Sequence, residues 1–75
     1  MTIPTAISIK KEPIRLSQFL KLANVVQDGL EAKIRINEGE VLVNGEIETR
    51  RGRKLYANDL VHIDDLDFQV IQAKV

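Results

Sequence analysis

Four cationic side chains fall within five positions of this 75-residue chain: Arg50, Arg51, Arg53 and Lys54. Guanidinium groups bind oxyanions through paired N–H donors, while a lysine acts as a compact point charge. Cations placed this close repel one another, so a loop that keeps them together suits an anion. In a chain without a catalytic constellation, the fitting anion is a nucleic-acid backbone. Two other readings stand beside it. The cluster could be an ordinary solvated loop, with Glu46 and Glu48 pairing to it, and exposed pairs stabilise by under about 1 kcal/mol. It could also be the docking point of an acidic protein partner.

Other candidate chemistry is thinner. Lys33 and Arg35 lie in a helical pattern, where a solvent face would pair Lys33 with Glu31 or Glu38; neither is four residues away. Lys10 and Lys11 add a diffuse positive field. His62 alternates with Val61 and Ile63 and should point away from the core, with no triad partner at a suggestive spacing. Asp64, Asp65 and Asp67 lack the further oxygen ligands and glycine of a calcium loop and read as turn formers. No glycine-rich phosphate loop precedes a helix. The chain has no cysteine, which excludes disulfides, thiolate metal sites and Cys nucleophiles. The expectation is a protein that is not an enzyme, with no cofactor and no metal.

Length and charge narrow the choice. The chain is long enough for one small domain with a thin core. Its net charge is zero, yet residues 1–54 carry ten Lys/Arg against seven Asp/Glu, while residues 55–75 carry one against four. Binding follows the local field of a patch rather than the sum. The first residues lack the pattern of a signal peptide and no apolar run approaches bilayer length, so a soluble cytoplasmic protein is expected; a monomer is expected as well.

The elements that would position these cations follow from punctuation. Residues 1–13 form an extended lead-in in which Ile7 and Ile9 alternate as an edge strand would, and Pro13 stops any helix at Glu12. Ser17 fits as N-cap of a helix reaching about Asn24, with Leu16, Phe19, Leu20 and Ala23 on one face. Asp28-Gly29-Leu30-Glu31 starts a second helix by a capping box, carrying Leu30, Ala32, Ile34 and Ile36 until Gly39 ends it. Val41–Val43 then turns at Asn44-Gly45 into Glu46–Glu48. Lys54–Tyr56, Leu60–Ile63 and Phe68–Val70 follow, with turns at Asn58-Asp59 and Asp64-Asp65. The predicted class is α+β: two neighbouring N-terminal helices, then a small, mostly antiparallel sheet, with residues 14–75 forming a single domain.

The order Arg15-Leu16-Ser17-x-Phe19-Leu20-Lys21, Ala32-Lys33, Ile36, Gly39-x-Val41-x-Val43-Asn44-Gly45, Arg50, Lys54 and Asp59-x-Val61 resembles the S-four, or alpha-L, RNA-binding domain. The resemblance covers roughly Ile14 to Ile63, and a domain standing alone in this way is similar to the small bacterial YbcJ-like and YaaA-like proteins. It implies that the helix pair and the following loop form one surface facing structured RNA of ribosomal or transfer type. Carried over by position, that surface would use Arg15, Lys33, Arg50 and Lys54, with Arg35, Arg51 and Arg53 adding charge. Gly29 stands where many members carry arginine, and Asn58 replaces the commoner glycine before Asp59. Of the aromatic residues, Phe19 and Phe68 fall on apolar faces, leaving Tyr56. One ring makes no stacking platform, so the expected ligand is a folded RNA read by shape, not an unstructured strand.

Overall fold

The computed structural model describes residues 3–73. In chain order the elements are β1 (Thr5–Ile9), β2 (Ile14–Arg15), α1 (Leu16–Leu22), α2 (Gly29–Asn37), β3 (Leu42–Val43), β4 (Glu46–Ile47), β5 (Lys54–Leu55), β6 (Leu60–Ile63) and β7 (Leu66–Gln72). The class is α+β, but the helices do not come first. β1 joins the main sheet, whose strand order is β1-β7-β6-β3-β4. It lies parallel to β7, with Thr5 opposite Phe68 and Ile9 opposite Gln72, while the remaining pairs are antiparallel. The sheet is therefore mixed. The parallel partner of β1 sits at the far end of the chain, so no local turn signal could announce the pairing. β2 and β5 form a separate two-stranded ladder that sets Arg15 opposite Lys54.

Helix α1 starts earlier than its sequence suggests. Ser17 lies inside the first turn and Arg15 takes the N-cap position. The leading amides, which need acceptors outside the helix, find carbonyls of the arginine loop: Leu16 N–H donates to Arg53 O at 2.8 Å and Ser17 N–H to Arg51 O at 3.1 Å. A side-chain cap at Ser17 is thus displaced by backbone acceptors from a distant segment. Helix α2 follows its local signals more closely. Asp28 accepts from the Glu31 amide at 2.9 Å, and the Glu31 carboxylate reaches back to the Gln27 amide at 2.8 Å, one residue beyond the expected box. Gly39, with φ of +78°, closes the helix in a left-handed conformation that costs glycine least.

Of the four apolar residues of α2, Ala32 and Ile36 are buried, while Leu30 and Ile34 are 66% and 51% exposed. At about 100° per residue the two pairs occupy opposite faces of the helix. The core lies between the helices and one face of the sheet, built on Leu16, Phe19, Leu20 and Ile36 against Val61, Ile63 and Val70. Phe19 and Phe68 meet edge to face, with ring centroids 6.4 Å apart.

Turn chemistry holds the sheet's register. Asn44-Gly45 (φ +52° and +85°) and Asp64-Asp65 (φ +55° and +60°) both take positive φ at their two central positions, as tight hairpins require. Asn58 also takes positive φ, +78°. Asn44 is tied across to the next hairpin: its side chain accepts from the Leu60 amide at 2.9 Å and donates to Asp59 at 3.1 Å. Asp59 in turn accepts from the Tyr56 amide at 2.8 Å. Asn44 and Asp59, two residues of the pattern that suggested the family, therefore serve the fold.

Candidate nucleic-acid interface

The arginine loop begins where β4 ends. Glu48 leaves that strand with its side chain turned inward, and only 6% of the residue is exposed. Its carboxylate is fully engaged by the loop that follows. Oε2 accepts from Arg50 Nε at 2.9 Å and from the Arg50 amide at 3.1 Å; Oε1 accepts from Arg50 Nη2 at 3.1 Å and from Arg53 Nη1 at 2.7 Å. The exposed, weak pairing anticipated for Glu48 is replaced by a buried anion gripped in a bidentate fork. The hydrogen bonds from Arg50, then those from Arg53, pull the Glu48 carboxyl down to about 2, and the same contact raises Arg50.

The backbone completes the arrangement. Arg53 N–H donates to Arg50 O at 3.1 Å, closing a turn over Arg51 and Gly52. The carbonyls of Arg51 and Arg53 hold the start of α1, and the β2–β5 ladder places Lys54 beside Arg15. Five of the predicted cations, Arg15, Arg50, Arg51, Arg53 and Lys54, are thereby gathered at one end of α1. A shallow concavity lined by Arg50, Gly52, Arg53 and Lys54 opens there.

The two cations of α2 are placed differently. Arg35 donates from Nε to Glu40 at 2.9 Å and from Nη2 to Asp64, with 18% of its side chain exposed. It thus ties α2 to the turn between β6 and β7, and its hydrogen bond holds the Asp64 carboxyl below the usual carboxylate range. Lys33 is exposed. Two residues apart, Lys33 and Arg35 point roughly 160° away from each other around the helix and cannot share one contact surface.

Remaining titratable candidates fall outside this end. His62 Nδ1 lies 2.8 Å from Asp67 across the β6–β7 hairpin, half-buried on the sheet face away from Val61 and Ile63. Asp64 and Asp65 form the hairpin turn, and among the described residues no group of three or more His, Cys, Asp or Glu is placed to hold a metal ion. Among those residues no helix is long and apolar enough to cross a membrane. Glu48 is the residue of this arrangement that sequence reasoning undervalued. Its signal was spacing, a glutamate two and five positions before two arginines, in reach of both once the chain turns.

The pattern of the family described as the S4 domain matches residues 7–71. The chain belongs to this family. It is 56% identical over 66 residues to the probable ribosome maturation protein RlbA of Bacillus subtilis, covering 87% of this chain and 93% of that protein. It is 38% identical over 65 residues to the putative RNA-binding protein YbcJ of Escherichia coli, covering 85% and 93%. The solution structure of E. coli YbcJ, described as an alfaL motif involved in RNA-binding, superposes with a TM-score of 0.70 at 36% identity, covering 95% of this chain and 91% of that one. Family membership thus extends to β1 and β7, beyond the stretch from Ile14 to Ile63 that carried the resemblance.

Proposed function

We propose that this S4 domain binds structured RNA of ribosomal type in the bacterial cytoplasm, as a monomer and without catalysis. Arg50, Arg51, Arg53 and Lys54, joined by Arg15, are the phosphate contacts, and Lys33 extends the surface along α2. The observation that carries the reading is the gathering of five cations against the start of α1, with Arg50 and Arg53 fixed on a buried carboxylate. The relatives' descriptions, ribosome maturation and RNA binding, point the same way. The neutral overall charge does not oppose it, because phosphates respond to the local patch.

The test is salt dependence. Four or five phosphate contacts, at about 0.7 to 0.9 each, give a slope of log affinity against log salt of roughly −3 to −4.5 for a ribosomal-type hairpin. Changing Arg50, Arg51, Arg53 and Lys54 together to glutamine removes most of that slope while the domain stays folded. Oligouridine of equal length binds more weakly, since the chain offers no stacking platform. An unchanged slope in the folded quadruple variant would move the RNA surface elsewhere. Equal binding to an acidic polypeptide would favour a protein partner.

A further inference from the structure

Among the described residues, Glu48 is the one buried side chain that carries a charge. A buried carboxylate destabilises a fold unless it is fully paired, and an apolar residue of similar size often serves stability as well. What Glu48 does that an apolar residue could not is order its neighbours. Arg50 has no other protein contact among the described ionic pairs, and 74% of its side chain is exposed. An arginine so exposed ordinarily samples many rotamers, yet here Nε, Nη2 and its own backbone amide are all fixed to one carboxylate.

Glu48 Oε1 is shared. It accepts from Arg50 Nη2 at 3.1 Å and Arg53 Nη1 at 2.7 Å, which keeps those nitrogens within about 6 Å of each other. Each guanidinium carries five N–H groups. Glu48 takes two from Arg50 and one from Arg53, so three N–H groups of Arg50 and four of Arg53 are not used by this carboxylate. Two forks this close, bordering the concavity that Gly52 and Lys54 complete, match the oxygens of one phosphate better than two phosphates spread along a strand.

We infer that Glu48 is a positioning residue for phosphate recognition: it holds Arg50 and Arg53 as one preformed pair aimed at a single phosphodiester of the RNA. The inference rests on the RNA-binding reading above. It makes a prediction opposite in sign to electrostatics alone. Glu48→Gln removes a negative charge next to the binding surface, so a simple charge account has it bind RNA more tightly. A positioning role has it bind more weakly, because two long side chains must then be ordered on binding.

The experiment measures hairpin binding by wild type, Glu48→Gln, Arg50→Gln/Arg53→Gln and the triple variant at one salt concentration, with thermal melts confirming that each is folded. Glu48→Gln is expected to bind about five- to tenfold more weakly than wild type, and to cause no further loss when added to the double arginine variant. Tighter or equal binding by folded Glu48→Gln overturns the inference. An undiminished loss in the double arginine background also overturns it, since Glu48 would then act through the fold. Arg50→Lys keeps the charge at an exposed position and serves even if Glu48→Gln does not fold. It should weaken binding about fivefold, and unchanged binding again overturns the inference. Wild-type protein showing no salt-dependent binding to the hairpin would instead sink the RNA-binding reading itself.

Discussion

Lowering the pH from neutral to about 2 protonates Glu48 along with the other carboxylates, and the size of its own effect can be worked from its contacts. In the folded chain its carboxyl titrates near 2, against an ordinary value of 4.5, because Arg50 and Arg53 hydrogen-bond the charged form. The unfolded chain therefore takes up the proton first. The stabilisation is present in full above about pH 4.5 and is lost as pH falls toward 2. A shift of this size, at about 1.4 kcal/mol per unit, corresponds to about 3 kcal/mol. Water reaches Arg50 freely, and screening there reduces the expected contribution to about 1–2 kcal/mol. That is a large share of the stability of so small a domain. Urea unfolding followed by circular dichroism at each pH, for wild type and Glu48→Gln, measures it. Asp64 is also held low, by Arg35, so both proteins are compared in an Asp64→Asn background. Wild type should lose about 1–2 kcal/mol more than Glu48→Gln across the window. Parallel losses would refute the claim that the buried fork stabilises the charged carboxylate.

Gly45→Val should cost more than about 1 kcal/mol in a thermal melt, because φ is +85° there and a β-branched residue resists it. A Cβ at Gly45 would meet nothing within 4 Å, so the cost is conformational, and a variant melting like wild type would contradict it. Arg35→Gln should lower the melting temperature by releasing α2 from Glu40 and Asp64 while leaving the RNA salt slope intact. A slope reduced by nearly one unit would instead make Arg35 a phosphate contact.

Much of the fold was legible because its signals are local. Asn44-Gly45, Asp64-Asp65 and Asn58 mark turns by conformations that their own side chains tolerate, and Asp28 caps α2 three residues ahead. The inward residues Val61, Ile63, Phe19 and Phe68 followed from alternation and helical spacing. What escaped depends on partners far along the chain. Ser17 is a good capping residue by type, but Arg51 and Arg53 carbonyls satisfy the α1 amides instead. Glu48 alternates with Ile47 and looked like part of a solvated strand face; the chain leaves the ladder there and the side chain turns in. Leu30 and Ile34 are as apolar as Ala32 and Ile36, and only their angular position on the helix puts them outside. The cationic cluster was plain from composition. That Arg35 stands apart from it was not, because its carboxylate partner Asp64 is distant in sequence.

The placement of β7 between β1 and β6 has a consequence for how the chain is made. Ile7 and Ile9 are synthesised early, yet their strand has no neighbour until residues 66–72 arrive, when Ile7 pairs with Val70 and the Ala73 amide reaches Ile9 O at 2.8 Å. The start of α1 likewise waits for Arg51 and Arg53. Closing so long a loop costs more entropy than forming a local hairpin, so this pairing is expected to form more slowly than the β3–β4 turn. A nascent chain therefore completes the pairing of β1 and the start of α1 only after those distant residues have been made.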